Sequence, residues 1–276
     1  MEGVNSNPYK EQLDSMTWSF SRLNSYHQCP SGWKMQYLDK AEQLDSGFSD
    51  WGKLCHSIFE DYGKGILAEY ELLDAYTIRY PEYMKGSFPP CRGTPMEEKY
   101  CERGKALFAS FAGYPENWEI LEVERELKID IKGKKFIGYL DLLVRDKTDG
   151  RLILIDHKSK AEFKDENEKQ HYAIQLYLYA IWVFEEYHEY PKELLFNMFR
   201  VGNQVTIPFN YDDFIAAQEW VCDTIKKIYA DTEFLDKIII QYQKTGKEVS
   251  GYKNDDFFCK YLCGSRNYCA RSGLME

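Results

Sequence analysis

The sequence FIGYLDLLVRDKTDGRLILIDHK, residues 136–158, decides how this chain folds. Two apolar runs, 136–144 and 151–155, lie on either side of the polar residues 147–150. Apolar runs around a turn that contains Asp-Gly are typical of a β-hairpin. We therefore predict two antiparallel strands here, and the rest of the chain is interpreted around them.

Three charged residues interrupt or end these apolar runs. Asp141 falls inside the first run, and Asp156 and Lys158 end the second. A carboxylate in a buried strand is costly unless it is paired or binds a metal. In a hairpin Asp141 can lie near Asp156, and Lys158 points to the same face as Asp156. The pattern indicates either a strand-end ion pair between Asp156 and Lys158 or a reactive site with two carboxylates and an amine.

The composition is that of an acidic, aromatic-rich globular chain. Its 276 residues are 44% hydrophobic and 16% aromatic, and the formal net charge is −10. This size fits one large domain, and the acidity argues against a non-specific coat on nucleic acid but allows local basic contacts. No apolar run has membrane-spanning length and no secretion signal is seen, so we expect a soluble protein without membrane contact, in the cytoplasm or, for a viral protein, the host cytoplasm.

The cysteines form a pattern of their own. Of the eight in the chain, Cys259, Cys263 and Cys269 crowd into the C-terminal end. In a chain without a secretion signal, such clustering indicates a metal rather than disulfides. Cys29, which precedes a proline, is the obvious fourth ligand. We predict an iron–sulfur cluster on these four thiolates; zinc with the same ligands, or ordinary buried thiols, are the alternatives.

Hydrophobic periodicity places further helices and strands around the hairpin. Helical spacing predicts helices at 22–28, 33–38, 51–67, 95–111, 166–187 and 211–231, with a less regular segment at 232–250. Alternation predicts strands at 120–129, 194–201 and 204–209. Three antiparallel strands, a crossover helix and further strands predict an α/β fold with a mixed sheet flanked by helices.

Three more polar residues occupy positions that a reactive site could use. His56 lies four residues before Glu60 on a predicted helix, so the two share one face. It is either an ordinary core or surface histidine or a metal ligand. Gln175 and Tyr179 are also four residues apart, on the helix after the hairpin. Since a crossover helix packs against the strand just left, Gln175 faces either a reactive centre, a nucleic-acid backbone or solvent.

Taken together, these patterns resemble the PD-(D/E)xK nucleases of the RecB/Cas4-type iron–sulfur exonuclease group. Six short motifs occur in the group's order and span almost the whole chain. They are S-x-S-R-L-x-x-Y-x-x-C-P at 19–30, G-x-x-x-H-x-x-x-E at 52–60, G-Y-L-D at 138–141, D-H-K at 156–158, Q-x-x-x-Y at 175–179, and the cysteine triplet at 259–269. The triplet departs from the group's usual C-x2-C-x5-C by one extra residue. No nucleotide-binding G-x-x-x-x-G-K-[ST] occurs, so a stand-alone nuclease or a subunit is expected.

The resemblance implies a restriction-endonuclease-like sheet, with N- and C-terminal segments joined by the four-cysteine cluster. It implies that Asp141 and Asp156 bind one or two Mg²⁺ or Mn²⁺ ions. The backbone carbonyl of His157 would be a further ligand, and His56 would add a nitrogen, which suits Mn²⁺ better.

The resemblance also implies roles for the groups around the metal. Lys158 would orient the attacking water or stabilise developing negative charge, Gln175 would position the water or the phosphate, and Tyr179 would support Gln175. Glu60 would contact His56 without binding the metal. The [4Fe-4S] cluster would be structural, because hydrolysis moves no electrons.

The expected function is therefore metal-dependent hydrolysis of DNA phosphodiester bonds by an exonuclease that acts on single-stranded DNA or free ends. DNA contacts are expected at Arg22, Lys34, Lys160 and Lys164. The alternative is a zinc-stapled, catalytically silent module for nucleic-acid binding or assembly. Cleavage polarity, pathway, homo-oligomers, and recombination or replication protein partners stay open.

The same resemblance predicts three parts along the chain. Residues 1–16 would be a flexible N-terminus. The segments 17–50 and 251–276 would bind the cluster, and 51–250 would contain a helical region and the nuclease core.

Overall fold

A computed structural model of the chain describes residues 7–232 and 257–269. The α-helices in these residues are α1 (Lys10–Asp14), α2 (Phe20–Gln28), α3 (Pro30–Tyr37), α4 (Gly47–Gly63), α5 (Leu72–Tyr83), α6 (Met96–Ser110), α7 (Glu166–Tyr187) and α8 (Tyr211–Thr232). The strands are β1 (Trp118–Ile131), β2 (Lys134–Asp146), β3 (Leu152–His157), β4 (Glu193–Met198) and β5 (Asn203–Pro208). A 3₁₀ turn at Glu69–Glu71 and a π-helical turn at Phe258–Leu262 complete these elements.

The five strands form one mixed sheet in the order β1-β2-β3-β4-β5. β2 and β3 are antiparallel, with Leu142 opposite Ile155. β3 and β4 are parallel, with His157 opposite Asn197, and α7 connects them. β4 and β5 are antiparallel. The predicted α/β fold with a mixed sheet is confirmed.

The central strand β3 is apolar on both faces. Each residue of 152–155 is at most 2% exposed. A strand with covered faces needs a continuous apolar run rather than alternation, and this is the pattern that the sequence has here. On one face Ile153 and Ile155 pack with Leu142, Val144 and Leu195.

Tight turns fix the positions of the first three strands. Between β1 and β2, Lys132 and Gly133 have φ values of 51° and 81°, as a type I′ hairpin turn requires. Between β2 and β3, the Asp146 carboxylate accepts hydrogen bonds from the amide and hydroxyl of Thr148 at 2.9 and 2.6 Å. Gly150 closes this turn with a φ of 79°. The predicted Asp-Gly turn is therefore where the sequence placed it.

Helix α4 begins and ends earlier than its hydrophobic spacing predicted. It spans Gly47–Gly63. Its end is set by Gly65, which has a φ of 69°. The amides of Gly65 and Ile66 bond back to the carbonyls of Tyr62 and Asp61, the Schellman pattern that terminates helices. Ile66, which lies beyond this end, is 63% exposed.

The chain divides into two compact units. Unit 1 comprises Met1–Ser46, Asp130–Phe136 and Glu219–Glu276, and unit 2 comprises Gly47–Ile129 and Ile137–Gln218. In unit 2, a core cluster that includes residues of α4, α5 and α6 is rich in aromatic side chains.

Unit 1 gathers its own aromatic residues. Trp33 stacks on Trp18 and meets Tyr26 edge-on, with ring centroids 6.5 and 5.8 Å apart. Within 1–16, the segment expected to be flexible, α1 buries Leu13, which is 1% exposed. Asn7 donates a 2.6 Å hydrogen bond to the carbonyl of Tyr229. Residues 7–16 therefore have fixed partners in the structure.

The irregular segment expected at 232–250 lies outside the described residues except for Thr232. Among the helices that the structure does describe, none combines the length and the apolar character needed to cross a bilayer.

Candidate active site

Four elements of unit 2 bring acidic and imidazole side chains to one place. Asp141 lies on β2, Asp156 on β3, His56 on α4 and Glu124 on β1. The first three residues were predicted as site residues from the sequence, and the structure brings them together. Glu124 was not predicted.

The two aspartates lie where the β2–β3 ladder ends. The last pair in register is Leu142 and Ile155, so Asp141 and Asp156 come next on the two strands. Their side chains are 11% and 5% exposed. Two like charges on adjacent strands destabilise a sheet, and burial makes this worse. Asp141 Oδ2 is partly compensated by a 2.6 Å hydrogen bond from the backbone N–H of His157.

Burial and neighbouring charges shift the ionisation of these groups. Burial raises the pKa of Asp141; the negative charges of Asp156 and Glu124 add to the rise, whereas His56 opposes it. Burial alone would lower the pKa of His56, but Asp141, Glu124 and Asp156 together raise it above its ordinary value. The site therefore retains protons more readily than isolated groups, as expected where negative charge is concentrated.

His56, Glu124 and Asp141 form a compact ligand set. His56 Nδ1 lies 3.8 Å from Asp141 Oδ2 and 3.9 Å from Glu124 Oε1. Across the described ranges this is the one group of three such residues whose ligand atoms all lie within 4.8 Å of one another.

Glu124 was not predicted as a site residue because its position depends on an unusual backbone conformation. It lies in the alternating stretch LEVERELKI, residues 121–129. Every second residue from 122 to 126 is a glutamate there, and each looks like an exposed strand residue. Its φ is 48°, in the left-handed region that non-glycine residues rarely adopt. This local distortion of β1 has no signature in the sequence. The proximity of an acidic strand to the G-Y-L-D motif was the one available signal.

Lys158 is held by contacts on several sides. Its Nζ lies 2.7 Å from Asp156 Oδ2 and donates a 3.1 Å hydrogen bond to Gln175 Oε1. The rings of Tyr172 and Phe196 lie 5.3 and 5.9 Å from the ammonium group. The ion pair between Asp156 and Lys158 is the arrangement that the structural alternative predicted, but Lys158 also reaches the following helix.

Gln175 and Tyr179 form a supporting chain behind Lys158. Gln175 Nε2 donates to the Tyr179 hydroxyl at 3.2 Å, which leaves Gln175 Oε1 to accept from Lys158. The close approach of Tyr179 to β2 requires Gly138, because a Cβ there would lie 2.3 Å from the Tyr179 ring. Gln175 therefore faces the site, and the alternative of a solvent-facing Gln175 is wrong.

The side chain of His157 is not available as a ligand. It is 4% exposed, and its Nδ1 lies 2.9 Å from Asn197 Nδ2. Burial, with the nearby positive charges of His56 and Lys158, lowers the pKa of His157 to about 3. Because His157 Nε2 also lies 3.4 Å from the Tyr114 hydroxyl, both ring nitrogens have protein partners, and the backbone carbonyl remains as the predicted ligand.

The donor set fits a divalent metal. Asp156 Oδ2 is buried and, in the part of the chain that the structure describes, accepts no well-aligned hydrogen bond although Lys158 is near. Buried carboxylate oxygens normally have partners. Carboxylate and carbonyl oxygens suit Mg²⁺ and Mn²⁺, and an imidazole nitrogen favours Mn²⁺.

Two secondary predictions need correction. Glu60, expected to contact His56, forms an ion pair with Lys64 instead, because the i,i+4 pair on α4 satisfies it locally. Lys34, expected to contact DNA, has a side chain only 5% exposed and pairs with Asp39 at 2.8 Å. Its charge is neutralised inside unit 1 and is not presented to a ligand.

The other expected DNA contacts differ in exposure. Arg22 is half-buried and lies over the ring of Tyr37 at 4.7 Å. Lys160 forms a 2.6 Å ion pair with Glu168, and Lys164 is exposed.

The predicted cluster cysteines lie together in unit 1. Burial, together with the neighbouring thiols of Cys29, Cys269 and Cys259, raises the pKa of Cys263 to about 11. Cys29 caps α3 and its Sγ accepts a 3.3 Å hydrogen bond from Gly32.

Hydrogen bonds connect two segments of unit 1 that are far apart in the sequence. The Leu44 amide donates to the Gly264 carbonyl at 2.9 Å, and Gln43 Nε2 donates to the Ser265 hydroxyl at 3.1 Å. The loop after α3 is thereby joined to the C-terminal segment.

Comparison with known proteins agrees with this architecture. The family model described as the PD-(D/E)XK nuclease superfamily matches residues 17–270. The chain belongs to the PD-(D/E)XK nuclease superfamily, whose members are generally nucleases that use divalent metals.

Two further comparisons add little. A solved structure titled "Crystal structure of SSO0001" is similar, with 18% identity over 95% of this chain and 94% of that chain and a TM-score of 0.34. No curated protein matches the sequence. The family assignment therefore rests on the sequence model.

Proposed function

We propose that this protein is a metal-dependent deoxyribonuclease that hydrolyses phosphodiester bonds of single-stranded DNA or DNA ends. The convergence of Asp141, Asp156 and Lys158 at one end of the β2–β3 ladder carries this proposal. Membership of the nuclease superfamily supports it. The order of the six motifs supports the narrower assignment to the RecB/Cas4-type group.

The metal would be held by Asp141, Asp156 and the backbone carbonyl of His157, with His56 and Glu124 as further ligands beside Asp141. A divalent ion there supplies Lewis acidity, lowers the pKa of water and offsets charge on the phosphate. The nitrogen of His56 favours Mn²⁺ over Mg²⁺.

Lys158 would place its ammonium group beside the reacting phosphate. Asp156 and Gln175 fix its Nζ from two sides, so little reorganisation is needed when negative charge develops. Gln175 then acts through Lys158, and Tyr179 is a positioning residue that orients Gln175. This differs from the expectation that Gln175 itself positions the water.

The four thiols support a structural [4Fe-4S] cluster in unit 1. The resemblance to the RecB/Cas4-type group favours an iron–sulfur cluster over a single zinc ion on these thiolates. In the arrangement we propose, 17–50 and 251–276 bind the cluster and 51–250 contain the nuclease core.

The test of this function is cleavage of end-labelled single-stranded DNA with Mn²⁺, Mg²⁺ or a chelator. We expect cleavage with Mn²⁺, weaker cleavage with Mg²⁺ and none with the chelator. Lys158→Ala should reduce the rate at least about 100-fold, the scale of losing a charge-stabilising group. The matched control is Lys105→Met, an exposed lysine on α6 that pairs with Glu102.

A folded wild-type chain that binds DNA but cleaves none would contradict the proposal. That outcome would favour the catalytically silent binding or assembly module. Cleavage that survives Lys158→Ala would leave the Asp156–Lys158 pair as a structural ion pair. The position of the label in the products gives the polarity.

A further inference from the structure

An open cleft begins at the metal-ligand side chains and extends along α4. Its volume is about 540 Å³, and its walls include Lys53, Ser57, Tyr83, Glu124 and Asp141. Sites of about 300–1,000 Å³ hold small molecules. The cleft therefore has room for about one nucleotide.

The cleft wall formed by α4 is a continuous polar face. Ser49, Lys53 and Ser57 are four residues apart, so they share the side of the helix that carries His56. The opposite face of α4 is apolar and buries Trp51 and Leu54. The row therefore presents a lysine and two hydroxyls beside the metal-ligand side chains, and the Ser57 hydroxyl donates a 2.9 Å hydrogen bond to the Leu54 carbonyl.

The chemistry of the walls changes along the cleft. At one end His56, Glu124 and Asp141 form the compact ligand set. One turn away the side chain of Lys53 is 55% exposed, and its Nζ lies 3.5 Å from Asp50 Oδ1. Tyr83 is half-buried and packs on the aromatic core cluster of unit 2. The metal-ligand end of the cleft suits one phosphate, and the Lys53 ammonium group suits a second phosphate. The Tyr83 ring, which is supported by the core cluster, suits a base.

We propose that this cleft binds the nucleotide next to the scissile phosphate of a single DNA strand. Lys53 contacts a phosphate and Tyr83 stacks on a base. This inference rests on the proposed function, because the metal end must hold the scissile phosphate. It assigns the preference for single strands to the stacking contact, which every unpaired base can make.

The remaining acidic side chains of the cleft do not oppose this assignment. Glu60 is paired with Lys64. Glu124 and Asp141 belong to the ligand set, where a bound cation offsets their charge.

Binding can be measured with a fluorescein-labelled oligothymidylate by anisotropy, in a Lys158→Ala background that prevents cleavage. Lys53→Met should weaken binding about ten-fold and reduce the logarithmic salt slope by about 0.7, the value for one phosphate on a single strand. Tyr83→Leu should weaken binding about ten-fold without a change in slope, and Tyr83→Phe should restore it. A matched duplex should bind more weakly than the single strand.

The controls are residues of the same type outside the cleft. Lys99→Met changes an exposed lysine on α6, and Tyr70→Leu changes a tyrosine that is 84% exposed. Both should bind like the parent. In the cleaving chain, Lys53→Met and Tyr83→Leu should raise KM with little change in kcat, because the contacts are made equally in the ground and transition states.

Cleft variants that bind and cleave like their controls would overturn the inference while the nuclease function stood. A wild-type chain that binds through the cleft but never cleaves would refute the nuclease function instead. If Tyr83→Leu lowers the thermal unfolding midpoint, the outcome of the test is taken from Lys53→Met, because the Lys53 side chain is exposed. Equal affinity for the duplex would contradict the single-strand assignment.

Discussion

At the scale of single residues, several site residues could be predicted from sequence motifs, whereas one is placed by a backbone conformation that the sequence does not reveal. Asp141, Asp156, Lys158 and Gln175 could be predicted because a charged or polar side chain in or beside an apolar run is costly unless it has a partner. Glu124 could not, since its position follows from a φ of 48° in a strand whose alternation looks ordinary.

The first prediction concerns Glu124. Glu124→Gln should weaken Mn²⁺ binding at least about ten-fold, because it removes a charged oxygen that lies 3.9 Å from His56 Nδ1. Titration calorimetry without DNA measures this directly. Glu126→Gln is the matched control, since Glu126 lies two residues further along β1 and bonds to the Tyr139 hydroxyl. Equal affinities of the two variants would exclude Glu124 from the ligand set.

The second prediction concerns pH. The pKa values of Asp141 and His56 are both raised, so both groups hold protons that a metal must displace. Mn²⁺ affinity should therefore rise between about pH 6 and about pH 8, with release of protons on binding. Calorimetry in buffers of different ionisation enthalpy counts those protons. An affinity that is constant or falls over this range would show that Asp141 and His56 are not the ligands.

At the scale of elements, the sequence predicted most helices and strands because their cues are local. The bounds of α7 agree with the expected 166–187, since Asp165 caps its first turn. The strand expected at 194–201 is shorter and ends at Met198, and the strand expected at 204–209 is shifted by one residue, to Asn203–Pro208. Periodicity alone cannot mark such ends, because a turn's backbone angles and its hydrogen bonds decide them.

The third prediction concerns the β2–β3 turn. Hydrogen bonds from Thr148 and Asn117 lower the pKa of Asp146 to about 2. A carboxyl whose folded pKa lies below its unfolded value of about 3.9 stabilises the fold above that value and ceases to do so as pH falls through about 2. Asp146→Asn should therefore lower the thermal unfolding midpoint at neutral pH, and the difference from wild type should shrink in acid.

The control for this turn is Asp149→Asn. Asp149 is 49% exposed and pairs with Arg151, so its replacement should have a smaller effect. The account of the turn would fail if the two variants were equally stable at neutral pH, or if the gap between Asp146→Asn and wild type widened in acid.

At the scale of the whole molecule, cysteine spacing predicted that distant parts of the chain meet. Cys29 and the C-terminal triplet do lie together in unit 1. Spacing could not specify the bound group, because thiolates serve both zinc and iron. It also could not predict the backbone hydrogen bond from the Leu44 amide to the Gly264 carbonyl, which joins the loop after α3 to the C-terminal segment.

The fourth prediction concerns the group that Cys29 and the three C-terminal cysteines would bind. Cys263→Ser, purified without oxygen, should lose iron and visible absorption, because it removes one of four ligands. Cys91→Ser is the control, since Cys91 is exposed and lies outside the set. Metal analysis and absorption spectra measure both. A colourless wild-type protein with one zinc ion per chain would replace the cluster with the zinc alternative.

The most direct test of the central claim compares activity and stability in Asp141→Asn. Burial and neighbouring carboxylates raise the pKa of Asp141, so its ionised form destabilises the fold above that pKa. Asparagine relieves this repulsion and can still accept the hydrogen bond from the His157 amide. We expect Mn²⁺-dependent cleavage to fall at least about 100-fold while the metal-free unfolding midpoint at about pH 8 stays level or rises. Retained cleavage, or a marked loss of stability, would contradict a catalytic role and assign Asp141 to the structure of the sheet.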